Sequence, residues 1–448
     1  MPPVSHPRPG PVTVGLDIGT TAVKAVAVDA DGGVVARSRV PHRLVVPSIG
    51  RLEHDPAEAW VAGPRRALAE LGVRPAAVAV AALAPSLTAV DDQGIPGERG
   101  ILYDDERGRP SGPYHGSDPT RSPETAELLR WLVADEPDAA GYWPAQAVAN
   151  RALGGPGVVD FATAVSAGPL YDGSPWDADE CKACGVRAGQ LPGVRMFGEA
   201  IGRVGDAILG AGSVDAFCEQ LVAGPLAEGD ALVVLGSTLV VWSARPTPAE
   251  APGLWNAPQL DGGWYVGGAS NAGGLWLSWV ERSLAPGSPL DAHPRRVPVW
   301  LPYIRGERVP RHQPERRASL ADVDLLQGPA ELRRAALEAS AFVVRSLLER
   351  AGPLPRRILA TGGGSTARPW LQALADATAA RVEPVAVPEG AALGAAWLAR
   401  MAAGLEDGVA DAARWAGTGT PVDPDAAWVE ATGERYGRFV EQAGGRVQ

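Results

Sequence analysis

Near its start the chain places the turn Asp17-Ile18-Gly19-Thr20-Thr21 between two apolar runs, residues 12–16 and 22–28. Two strands joined by a glycine and two hydroxyl residues make a turn rich in backbone N–H groups, a known cradle for anions. The next segments constrain the fold further. Residues 29–33 (D-A-D-G-G) read as a hairpin turn and residues 34–40 as a third strand. Residues 56–71 read as a helix, with Asp55 as N-cap, Pro56 in the first turn and Gly72 as the stop. Residues 78–83 are a continuous apolar run, as expected of a fully buried strand.

The order β-β-β-α-β is unusual among α/β proteins and matches a ribonuclease-H-like, actin-like nucleotide-binding core. The second half repeats the opening. Residues 231–235 form an apolar strand, Gly236-Ser237-Thr238 a turn, and residues 239–243 another strand. A long helix is expected over 331–351, then a strand over 358–361 that runs into Gly362-Gly363-Gly364-Ser365. Helices are expected over 369–380, 390–403 and 426–442. Residues 104–200 look irregular apart from one helix near 124–134, and residues 1–11 read as a disordered leader. The expected organisation is therefore α/β, with two such domains, 12–204 and 205–448, and a nucleotide cleft between them.

With 41 basic against 52 acidic residues, the 448-residue chain carries a formal charge of −11. That balance argues against nucleic acid or an anionic membrane as the main partner. Hydrophobic residues at 46% and charged residues at 21% are those of an ordinary globular protein. The longest apolar run, 76–90, is too short to span a bilayer and contains Pro85. Three cysteines cannot build a disulfide framework and suit a reducing compartment, so a cytoplasmic location is expected. Cys181 and Cys184 have metal-knuckle spacing but lack a second pair, which favours a plain reduced loop.

Three turns could hold a nucleotide: Gly19-Thr20-Thr21, Gly236-Ser237-Thr238 and Gly362 to Ser365. Each alone also fits an ordinary hairpin or flexible loop. Asp17, beside the first turn, could hold Mg²⁺ through water. Lys24, one of only two lysines in the chain, could aim a cation at the same phosphates or sit as a solvated edge lysine. Asp215 opens a helix expected over 216–223; it suits either a helix cap or a general base beside a hydroxyl. No G-x-x-x-x-G-K-[ST], G-x-G-x-x-G or H-E-x-x-H motif occurs.

Taken in order, these segments resemble the FGGY family of carbohydrate kinases, from Val12 to about Gly404. The segments are G-L-D-I-G-T-T-A-V-K, G-R-L-E-H-D-P-A-E-A-W at 50–60, I-L-Y-D-D-E-R at 101–107 and G-V-R-A-G-Q-L-P at 185–192. D-A-F-C-E-Q-L-V-A-G-P-L-A-E-G-D with L-G-S-T, T-G-G-G-S and P-E-G-A-A-L-G-A-A complete the series. The resemblance implies an ATP- and Mg²⁺-dependent sugar kinase. Asp215 would be the general base and Asp17 the outer-shell metal ligand. The three turns and Lys24 would hold ATP, and Thr21, Ser86, Asp105, Arg107 and Asp215 would face the sugar. L-G-S-T at 235–238 and A-S-N-A-G-G at 269–274 resemble the D-ribulokinase branch, close to xylulokinases, so D-ribulose is the expected acceptor and D-xylulose the next.

Departures are visible. Asp104 stands where the family has Asn. Leu83-Ala84-Pro85-Ser86 replaces Q-M-H-G of many xylulokinases, and Ala367 or Arg368 replaces the Asn of the adenosine loop. L-ribulose, erythritol, glycerol, or a non-catalytic sugar- and ATP-binding role stay open, as does a homodimer.

Overall fold

The computed structural model describes residues 10–103, 105–108, 122–171, 173, 175–224, 227–259, 263–311, 313–385, 387 and 389–444. Asp104 and nearly all of the expected leader lie outside them. The chain forms two compact units. The first takes the described residues of Met1–Gly108, Glu124–Val222 and Ala391–Trp415; the second takes those of Ala223–Gly390 and Ala416–Gln448.

In the first unit, β1 (Thr13–Ile18), β2 (Ala22–Val28) and β3 (Val34–Pro41) form an antiparallel meander. The hairpin between β2 and β3 is closed by Asp29, whose carboxylate accepts from the amides of Asp31 and Gly33. The chain then turns into a helix whose first turns, Ala57–Ala62, are wide i→i+5 turns, continuing as α1 (Gly63–Glu70). Asp55 caps it as expected, accepting from the amides of Ala57 and Glu58. It leads to β4 (Ala77–Ala82), parallel to β1 and wholly buried. The β-β-β-α-β order expected from the sequence is thus present.

Three later strands extend the same sheet: β5 (Ala200–Val204), β6 (Ala207–Gly210) and β7 (Ser213–Val214). Both β6 and β7 pair with β4, in a seven-stranded sheet. The chain between β4 and β5 is less irregular than its Gly/Pro content suggested. It holds α2 (Glu124–Asp135), α3 (Ala145–Ala152), α4 (Phe161–Ser166) and α5 (Ala178–Ala183). The helices α3 to α5 are only about two turns long or shorter, too short for apolar periodicity to reveal them. Cys181 and Cys184 sit in and just after α5, buried and unbonded, rather than in a loop.

Beyond β7 comes α6 (Asp215–Ala223). Because β5 to β7 belong to the first sheet, Asp215 lies in the first unit, not in a second domain beginning at 205.

The second unit repeats the plan. β8 (Ala231–Leu235) and β9 (Leu239–Arg245) form a hairpin; β10 (Trp255–Pro258) and β11 (Trp264–Ser270) extend it. β12 (Arg357–Thr361) pairs parallel with β8, and β13 (Arg381–Pro384) with β12. Meander plus parallel neighbour therefore occurs twice, in agreement with the duplication read from the sequence. The helices are α7 (Gly274–Ser283), which was not expected, and α8 (Pro329–Ala351), α9 (Arg368–Thr378), α10 (Gly390–Ala402) and α11 (Ala426–Gln442), close to the expected spans.

Although α10 comes after most of the second unit in sequence, it packs in the first. A Cβ built on Gly15 would lie 1.8 Å from the Ala392 carbonyl oxygen, and one on Gly394 would lie 2.0 Å from that of Cys218. The helix thus touches β1 and α6 backbone to backbone, a separation only glycine permits. No helix among the described residues is long and apolar enough to cross a membrane.

Candidate active site

The first unit gathers three expected residues at one end of its sheet. Asp17 and Lys24 are register partners across β1 and β2, with Lys24 Nζ 3.4 Å from Asp17 Oδ2. On the other side of β1, Asp17 is level with Ala81 of β4, and Ala81 is level with Ser213 of β7. Asp215 comes directly after β7. Two carboxylates are therefore delivered to the same end of the sheet from strands on either side of β4.

Asp215 lies in the first turn of α6, and its own Oδ1 accepts from the Ala216 amide at 2.7 Å. Burial, and next the nearby Asp17 carboxylate, push Asp215 up to about 8; Lys24 pulls the other way. Like charges that resist joint ionisation favour a cation between them. Carboxylate oxygens are the donors a hard cation such as Mg²⁺ takes.

The turn Gly19-Thr20-Thr21 is gripped from behind. His42 Nε2 lies 3.1 Å from the Gly19 carbonyl oxygen and the His42 amide donates to that of Thr21 at 3.1 Å. His54 Nε2 lies 2.8 Å from the Thr20 carbonyl oxygen. All three carbonyls face the protein. Among the described residues the Thr20 and Thr21 amides have no protein acceptor. A Cβ on Gly19 would meet nothing closer than Ala22 O at 3.4 Å, so space remains in front of the turn.

The expected sugar-side groups are committed to the protein. Ser86 Oγ donates to Leu83 O at 2.9 Å and accepts from the Ala145 amide at 3.0 Å. It lines a cavity of about 40 Å³, room for a few waters rather than a sugar. Asp105 is buried and accepts from Arg107 through both oxygens, at 2.8 and 2.6 Å, and from the Leu52 amide at 2.8 Å. Arg107 also pairs with Glu53 at 2.6 Å and lies over the Trp131 ring. Thr21, by contrast, is exposed.

Several contributors escaped the sequence reading. Tyr103 Oη is 2.7 Å from Thr20 Oγ1, tying I-L-Y-D-D-E-R to the first turn. Asp160, wholly buried, caps α4 and accepts from Ser213 Oγ at 2.7 Å, which anchors the strand that delivers Asp215. An N-cap Asp before a short helix is too common for sequence to single it out.

In the second unit the carbonyls of Gly236 and Ser237 accept from the amides of Gly274, at 2.7 Å, and Leu275, at 3.2 Å, so the turn is held by the start of α7. Thr238 completes it. Of the three loop glycines, Gly362 has φ +82° and faces the Leu235–Gly236 backbone, while a Cβ on Gly364 would strike Trp370 at 2.3 Å. Only Gly363 opens onto free space. Ser365 is buried, its hydroxyl donating to Gly362 O at 2.8 Å.

Comparison with known proteins shows the family. Residues 12–111 match the N-terminal domain, and residues 231–403 the C-terminal domain, of the FGGY family of carbohydrate kinases. The chain is 26% identical to a xylulose kinase of Bacillus subtilis, over 87% of this chain and 88% of that one. It is 28% identical to a glycerol kinase of Cereibacter sphaeroides, over 95% and 98%. The crystal structure of a Rhodospirillum rubrum xylulose kinase superposes with a TM-score of 0.76 at 26% identity, covering 97% of this chain and 98% of that one.

Proposed function

The chain belongs to the FGGY family of carbohydrate kinases, and we propose that it transfers the γ-phosphoryl group of ATP to a hydroxyl of a ketopentose, with Asp215 as the general base. The observation that carries this reading is the delivery of Asp215 and Asp17 to one end of a sheet beside an outward-facing turn. A sugar hydroxyl is too weak an acid to ionise at neutral pH. A carboxylate with a pKa near the working pH takes its proton as the new P–O bond forms, typically contributing about 10²–10⁴-fold. Asp215, at about 8, is matched to that task.

Thr20 and Thr21 offer their amides to the transferred phosphoryl group, Gly19, whose own amide donates to Ala22 O, keeps the front of the turn open, and Lys24 balances Asp17. Gly236, Ser237 and Thr238 form a second turn with the same kinds of group for phosphate. Gly363 admits the adenine face, with Gly362, Gly364 and Ser365 shaping the loop around it. Mg²⁺ bound with the nucleotide would supply charge neutralisation for phosphoryl transfer, and Asp17 is the residue that would hold it. Asp105, Arg107 and Ser86 stiffen the sugar wall, while Thr21 and Asp215 reach the acceptor.

The favoured acceptor is D-xylulose, ahead of the D-ribulose suggested by L-G-S-T. A xylulose kinase is among the similar curated chains and among the similar solved structures. The test is ADP release from the purified enzyme with ATP, Mg²⁺ and D-xylulose, D-ribulose, L-ribulose, ribitol, erythritol or glycerol. Highest kcat/KM with D-xylulose supports the reading; ADP release that is equal with and without every acceptor ends it.

A further inference from the structure

Two neutral imidazoles stand behind the first turn, and their chemistry can be read from their partners. The Trp60 indole can only donate, and it donates to His54 Nδ1 at 3.0 Å. A neutral imidazole carries one N–H, so His54 Nε2 bears it and donates to the Thr20 carbonyl at 2.8 Å. The ring is 1% exposed, and burial lowers its pKa to about 4, so the neutral form holds at physiological pH. His42 packs edge-on against His54, ring centroids 4.5 Å apart, and reaches Gly19 O in the same way.

We propose that His54, with its tautomer set by Trp60 and its ring steadied by His42, is a positioning residue for phosphoryl transfer: it holds the Thr20 carbonyl inward so that the turn's amides stay aimed at phosphate. Neither imidazole reaches the reacting atoms; both act through the turn. The inference rests on the reading of Gly19 to Thr21 as a phosphate turn. It goes further in assigning a role to the segment 50–60, whose histidine had none. Rotating one carbonyl inward or outward rotates the following amide by the same angle, since the peptide is planar. Loss of the His54 bond would therefore be felt at the Thr21 N–H.

Two isosteric replacements separate the two bonds. His54→Gln places an amide nitrogen near the Nε2 position and keeps the donor to Thr20. His54→Asn keeps an acceptor near the Nδ1 position for Trp60 and loses that donor. Steady-state kinetics should show His54→Asn losing about 10–100-fold in kcat/KM for ATP, the scale of a misplaced reacting group, with KM for the sugar within about twofold. His54→Gln should stay within about threefold of the unsubstituted enzyme, with both variants melting alike. Equal activity of the two variants would overturn the inference, as would a loss in His54→Asn that falls equally on the sugar KM and on the melting temperature. Should His54→Asn not fold, Trp60→Phe, which removes the tautomer lock, must still weaken ATP kinetics; unchanged kinetics there overturn it too. Gly19→Ala separates the levels. If it leaves ATP kinetics intact, the phosphate-turn reading itself fails; if it impairs them while His54→Asn does not, only the positioning role fails.

Discussion

The two glycine-hydroxyl turns face the same physical requirement and meet it with different materials. A turn that offers amides to an anion must bury its carbonyls, and each buried carbonyl needs a donor. In the first unit the donors are largely side chains, His42 and His54, brought from outside the hairpin. In the second they are backbone amides of Gly274 and Leu275, from the start of a helix. The first solution can be altered one side chain at a time. The second is written almost entirely in glycine: a Cβ on Gly273 would lie 2.6 Å from the Leu239 nitrogen and 2.8 Å from Ser237 O. A further difference is chemical. Two carboxylates, Asp17 and Asp215, stand near the first turn. On the function proposed above, the proton transfer would belong to the first unit, and the second turn would contribute no base.

The sharpest way to break that division is Asp215→Ala. It should cut kcat by about 10²–10⁴-fold while ATP affinity, read by isothermal calorimetry, stays within about twofold. A comparable loss of ATP affinity would place Asp215 in binding rather than proton transfer. Next in size is Gly273→Ala, which must push the second turn off its helix. We expect the KM for ATP to rise about tenfold, with a stability loss on the scale of 1–3 kcal/mol for overpacking, seen as a lower denaturation midpoint. An unaltered KM would detach the second turn from the nucleotide.

The pH profile gives a smaller, graded test. Because the base must be ionised, kcat/KM for the sugar should fall as pH drops through about 8, roughly tenfold per unit below it. Asp17→Asn removes a carboxylate that raises Asp215, so its residual activity should show this acid limb at lower pH. A limb that does not move would mean that burial alone sets it. The smallest effect is expected at Gly363→Ala. Nothing lies within 4 Å of the added methyl, so stability should be unchanged and KM for ATP should rise only about two- to fivefold. No rise at all would remove that loop from adenine contact.

The fold was open to reading from the sequence because its strands are continuous apolar runs and its turns are Gly-hydroxyl clusters, both local signals. The strand–turn–strand repeat at 12–28 and 231–243 led directly to two copies of one core. The site was legible only where a residue sits in such a turn or next to it, as Asp17, Lys24 and Asp215 do. Asp105 and Arg107 were singled out by motif and Ser86 by its place in a segment that departs from one, but what they touch depends on distant partners: Leu52, Glu53 and Ala145. The buttress of His42 and His54 joins three segments through carbonyl oxygens, which carry no side-chain identity and leave no periodicity. Asp160 likewise acts on Asp215 through Ser213, across 53 residues.

The return of α10 to the first unit bears on how the molecule comes into being. A ribosome delivers β1 long before α10, yet the Gly15 face of β1 is shaped to lie against Ala392 and Ala396. Until that helix emerges, the first unit has its sheet, its two carboxylates and its turn but one bare flank. Contacts so distant in sequence close slowly. Most of the second unit is made in that interval. A nascent chain halted before Gly390 would thus carry all three glycine-rich turns, with a first unit still lacking the helix that covers β1 and α6.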